Sequence, residues 1–71
     1  MEKSIRLMFG RNLREIRRKR KLTQEKLSEL AKIDYKYLQR IEGKNPPNIK
    51  LGTLARLARS LEVDPPKLLA P

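Results

Sequence analysis

A chain of 71 residues with 18 Lys and Arg against 8 Asp and Glu, a formal charge of +10, and neither Cys nor His excludes several kinds of protein at once. Disulfides, thiolate metal sites and nucleophile–base pairs built on imidazole or thiolate are impossible, and a zinc site would have to be made of carboxylates alone. The length provides one domain with a modest core, so all its helices must share that core.

The apolar residues make up 38% of the chain, with aromatics at only 4%, and are mainly Leu, Ile and Ala, which suits a helical bundle. No apolar run approaches the roughly 20 residues of a membrane span, so no membrane partner is expected. Lys3, Arg6, Arg11 and Arg14 interrupt the N-terminal apolar positions, which does not resemble a secretory signal; a cytoplasmic location is the expectation. The charge is uneven: residues 1–50 hold fifteen bases and six acids, residues 51–71 three and two. A field that strong on so small a body favours polyanions, of which nucleic acid is the commonest.

In chain order, Ile5, Phe9, Leu13 and Ile16 keep an i, i+4, i+8, i+11 rhythm, which predicts a first helix from about Ile5 to Arg20. Arg11, Arg14, Arg17, Arg18, Lys19, Arg20 and Lys21 surround its end. Cations there favour the helix dipole, but this many exceed what capping requires, and the cluster reads as a general electrostatic surface. Thr23 is an N-cap for a second helix, with Glu25 at its positive end and Leu27, Leu30 and Ala31 on one face. Ile33 is a single apolar plug in the following turn. Asp34 caps a third helix whose buried seam is Leu38 and Ile41, while Tyr35, Lys36, Tyr37, Gln39 and Arg40 point outward. Two short helices sharing one seam across a tight turn, at about 23–42, have the pattern of a helix-turn-helix DNA reader.

Gly43-Lys44-Asn45-Pro46-Pro47-Asn48 is turn chemistry throughout and forms an exposed loop. Asn48 is the expected cap of a fourth helix carrying the stripe Leu51, Leu54, Leu57, Ala58 and Leu61. Asp64-Pro65 then opens a short fifth helix through Pro66, Lys67, Leu68 and Leu69. The expectation is an all-α, compact five-helix bundle forming a single domain over residues 1–71.

Three ordered blocks carry a family resemblance: Leu22-Thr23-Gln24-Glu25-Lys26-Leu27, Tyr37-Leu38-Gln39-Arg40-Ile41-Glu42, and Thr53 through Val63. With these at their usual spacing, the chain resembles the Cro/cI-type, or xenobiotic-response-element, helix-turn-helix regulators from about Phe9 to Leu69. The resemblance implies a lambda-repressor-like domain whose helix at about 35–42 lies in the major groove of double-stranded DNA. It also implies base contacts by Tyr35, Lys36 and Arg40, with Gln39 a further candidate. The chemistry suits these roles, since Arg40 can pair bidentately with guanine and Lys36 can donate to guanine acceptors.

Gln24, at a helix start, is implied to hold a phosphate, with Lys44 and Asn45 gripping the backbone from the loop. Lys32 and Tyr37 complete the expected phosphate contacts. Arg17 and Glu42 occupy the places of an Arg–Glu pair that ties the first helix to the end of the reading helix. The chain departs from the family at Lys21 and Lys32, where glycine is usual because the backbone often turns left-handed; keeping that conformation costs a non-glycine residue roughly 1–2 kcal/mol.

The function this implies is a sequence-specific transcriptional regulator, a dimeric repressor or autoregulator, since one reading helix contacts too few base pairs for high specificity. Its homodimer face is expected in the less charged C-terminal third. The competing reading is a protein-interaction or bridging module, or the DNA-binding fragment of a larger regulator. No cofactor, metal or small-molecule ligand is expected. Enzymatic activity is not expected either: Glu25 and Glu29 lie on a helix surface among bases, and no glycine-rich phosphate cradle exists.

Overall fold

The computed structural model describes residues 2–71, which form four α-helices and one 3₁₀ turn: α1 (Lys3–Lys19), α2 (Gln24–Ala31), α3 (Tyr35–Ile41), α4 (Leu51–Leu61) and the 3₁₀ turn Pro65–Leu69. The count corrects the five-helix expectation. Pro65 and Pro66 have no N–H to donate, the segment opens with Lys67 N–H reaching the Asp64 carbonyl at 2.9 Å, and its five residues stay 3₁₀ rather than α-helical. Among the described residues there is no strand, and no helix is long and apolar enough to cross a membrane.

One core takes side chains from every element: Phe9 and Leu13 from α1, Leu27 and Ala31 from α2, Leu38 and Ile41 from α3, Leu54, Leu57, Ala58 and Leu61 from α4, and Leu68 from the 3₁₀ turn. Three expected core positions are not in it. Ile5 is 40% exposed because the buried stripe of α1 begins one turn later, at Phe9. Leu30 is 47% exposed: α2 centres its buried face on Leu27, Ser28 and Ala31, and Ser28 enters the interior with its hydroxyl bonded to the Glu25 carbonyl at 2.7 Å. Leu51, the first residue of α4, is 79% exposed.

The helix starts divide by their chemistry. Thr23 accepts from Lys26 N–H at 3.0 Å and Asp34 from Tyr37 N–H at 3.3 Å, both side-chain caps. Asn48, expected to cap α4, does not; that helix starts two residues beyond the expected first position, after Lys50, with no side-chain cap. The Asn48 side chain instead accepts a 3.0 Å hydrogen bond from Arg6 of α1.

Three of the helix ends share one construction. Lys21, Lys32 and Glu62 have φ of 59°, 56° and 58°, left-handed backbone occupied by residues other than glycine. In each case the next residue sends its N–H back five positions: Leu22 to Arg17, Ile33 to Ser28 and Val63 to Ala58, at 3.0–3.1 Å. Leu22, Ile33 and Val63 then pack against the core. This closure satisfies carbonyls that a helix end leaves open and buries an apolar residue, which offsets the roughly 1–2 kcal/mol cost of the backbone conformation.

Two contacts fix α1 against the end of α3. At Gly10, a Cβ would collide with the Ile41 carbonyl oxygen, so the helices approach as closely as they do because there is no side chain there. Nearby, Arg17 donates from Nε and Nη2 to the two oxygens of Glu42 at 2.8 and 2.9 Å and from Nη1 to the Leu22 carbonyl at 2.8 Å. The side chains of the pair are 10% and 3% exposed. The hydrogen bond to Glu42 outweighs the opposing effect of burial and holds the Arg17 pKa above its ordinary value, so the guanidinium stays charged.

Two outcomes test this arrangement by urea or thermal unfolding. Gly10→Ala should destabilise by about 1–3 kcal/mol through forced overpacking, whereas Gly52→Ala, where a Cβ meets open space, should gain about 0.5–1 kcal/mol. Glu42→Ala should cost about 3–5 kcal/mol, because it strands a buried guanidinium; a loss below about 1 kcal/mol would mean that the pair does not hold α3 in place.

Candidate nucleic-acid interface

α3 is short, and its two faces are divided by periodicity. Leu38 and Ile41 are fully buried, while Tyr35, Lys36, Gln39 and Arg40 are exposed on the other side. Lys36, Gln39 and Arg40 share a shallow concavity of about 720 Å³ with Lys44 and Asn45 of the following loop, and Asp34 sits at its edge. Tyr37 lines it too, so the structure brings together six of the residues singled out from sequence. Tyr35, 39% exposed at the first position of α3, does not line this concavity. Lys32 is exposed in the left-handed turn between α2 and α3.

Two expectations are redirected. Tyr37 points outward only in part: its ring is half-buried against the core while still lining the concavity, its hydroxyl donates to the Asn48 carbonyl at 3.3 Å, and the Arg40 guanidinium lies 5.6 Å from the ring centroid. At that separation the cation meets the negative face of the ring. Since Asn48 also receives Arg6, a chain of contacts runs from α1 through the loop and Tyr37 to Arg40. The Gln24 side chain is also engaged, donating from Nε2 to Glu42 Oε1 at 3.0 Å. What remains open at the start of α2 is its first backbone N–H groups, which have no intrahelical acceptor and carry the positive end of the dipole.

Sequence reasoning missed the roles of Arg6, Gly10 and Asn48. None has a periodic or motif signal: Asn48 has the chemistry of a cap, and its distant partners come close only in the folded chain. Electrostatically the site is one-sided. Lys36, Arg40 and Lys44 face the concavity against a single acidic residue, Asp34, whose side chain is occupied as the α3 cap. An exposed helix face with guanidinium, ammonium and amide groups, flanked by a basic loop, presents the kinds of donor that base edges and phosphates accept.

Comparison with known proteins agrees with this geometry. Residues 10–70 match the family model described as a helix-turn-helix domain. The crystal structure of the restriction-modification controller protein C.AhdI from Aeromonas hydrophila superposes with a TM-score of 0.83 at 33% identity, covering 89% of this chain and 94% of that one. That of the hypothetical transcription factor NHTF from Neisseria gives a TM-score of 0.89 at 30% identity, covering 94% of this chain and 74% of that one. A comparison with curated proteins finds no match. With the family model spanning most of the sequence and both solved structures at 30% identity or more, the chain belongs to the Cro/cI-type, or xenobiotic-response-element, helix-turn-helix DNA-binding regulators.

Proposed function

We propose that the protein is a sequence-specific transcriptional repressor or autoregulator that binds its operator as a homodimer, each copy laying α3 in a major groove. The observation that carries this reading is the shared concavity of Lys36, Gln39, Arg40, Lys44 and Asn45 beside a buried Leu38–Ile41 seam. Arg40 takes guanine bidentately, and its contact with the Tyr37 ring restricts the directions in which the guanidinium extends. Lys36 and Gln39 contact neighbouring base edges, and Tyr35 reaches a thymine methyl or donates from its hydroxyl.

Lys32, Lys44 and Asn45 hold the sugar-phosphate backbone. Gln24 does so through its backbone N–H at the start of α2, while its side chain stays on Glu42. Tyr37, with its hydroxyl committed to Asn48, supports Arg40 rather than a phosphate.

Dimerisation follows from arithmetic: one short helix reads too few base pairs, and two copies on two half-sites double the readout. Leu51 and Leu69, exposed in the weakly charged C-terminal third, supply apolar surface for the contact. The likeness to a restriction-modification controller supports the regulator class.

Selection of bound duplexes from a random pool tests the reading: a two-fold symmetric preferred site is expected, retained at physiological salt. Sequence-indifferent binding with a steep salt slope would instead favour a bridging module. On the selected site, Arg40→Ala should cost about 1–3 kcal/mol and relax preference at one base pair. Lys44→Ala should weaken all sequences alike and reduce the salt slope by about one. Sedimentation at micromolar concentration should give a dimer, at least on DNA; a monomer both with and without DNA would refute the assembly.

A further inference from the structure

A groove of about 430 Å³ lies between the outer face of α1 and the end of α3. Arg11, Arg14 and Arg18 line it at i, i+3 and i+7, one face of the helix. All three are exposed, and among the described residues none forms an ion pair with a carboxylate. Two acidic residues also line the groove. The carboxylate of Glu42 is paired with Arg17 and bonded by Gln24, which leaves Glu15 as the one uncommitted acid against three guanidiniums.

Gly43 borders this groove and also the concavity that holds Lys36, Gln39, Arg40 and Lys44, so the two basic surfaces are continuous around the end of α3.

We propose that this groove receives the sugar-phosphate backbone of DNA beyond the base pairs under α3, with Arg14 and Arg18 as phosphate ligands. The proposal rests on α3 being the reading helix and extends its footprint from a few base pairs to the flanking duplex. Arginine is well matched to a phosphate, because its planar fork offers two parallel donors and carries its charge at any working pH. An acidic protein segment is disfavoured by the continuity of the groove with the reading surface, which would leave such a partner and the DNA competing for one edge.

The test uses the full chain and two duplexes with the same selected site, one trimmed to that site and one extended by about one helical turn on each side. Arg14→Gln/Arg18→Gln is compared with the wild type and with Lys19→Gln/Lys67→Gln, which removes the same charge from a depression beside Val63, across Glu15 from the groove and away from the end of α3. On the extended duplex the arginine variant should show a salt slope shallower by about two, since each phosphate contact contributes roughly 0.9. The lysine variant should stay near the wild type. On the trimmed duplex all three should coincide, and the preferred sequence should be the same throughout.

Equal losses in both variants would reduce the effect to net charge and overturn the proposal, as would an equal loss by the arginine variant on the trimmed duplex. A changed sequence preference in that variant would also overturn it, because Arg14 or Arg18 would then be acting through the bases. If the wild type preferred no sequence, the assignment of α3 would fall, and the two variants compared on long random duplexes would still decide the groove.

Discussion

The carboxylate of Glu42 joins three helices at one point. It accepts Arg17 from α1 through both oxygens and Gln24 from the start of α2, and it stands directly after the last residue of α3. Such a buried pair is weak evidence for net stability, because removing two charges from water consumes most of what their attraction returns. Its effect is on geometry. α3 has only seven residues, too few to be stable alone, so its direction is set by what grips its ends. Asp34 caps one end, and the Arg17–Glu42 pair with the close approach at Gly10 secures the other.

A short helix held in this way leaves its polar face free to be varied. Leu38 and Ile41 belong to the core and Glu42 to the clamp, whereas Tyr35, Lys36, Gln39 and Arg40 have no structural duty beyond staying exposed. Tyr37 lies between the two groups. Its ring faces the core on one side and supports Arg40 on the other, and its hydroxyl binds the loop that carries Lys44 and Asn45 to the same surface. The exposed groups of α3 and the loop residues Lys44 and Asn45 are thereby positioned by one network, and a preordered surface loses less entropy on meeting any partner.

The three left-handed helix ends follow from the same economy of length. A chain of this size must reverse direction within a few residues, and Lys21, Lys32 and Glu62 adopt the conformation that glycine would take more cheaply. Each is followed by an apolar residue that closes the core, so the turn is determined by packing beyond it rather than by the residue in it. Lysine at two of these positions adds positive charge where the helix-turn-helix corners reach the surface.

Order along the chain was enough to specify the helices that have a long periodic stripe or a capping residue. α1, α2 and α3 begin and end within about two residues of where Phe9, Leu13, Thr23, Asp34 and the Gly43 loop put them, and the charge asymmetry pointed to a polyanion. Folding settled which apolar residues at the edges of the stripes are covered, because the burial of Ile5, Leu30 and Leu51 depends on what lies opposite them. It also settled that Asn48 bonds to Arg6 and Tyr37 instead of capping α4, and that Arg11, Arg14 and Arg18 open onto the end of α3. Periodicity and capping are local properties written over three or four residues, whereas these contacts join positions that lie far apart along the chain and exist only once the core has brought them together.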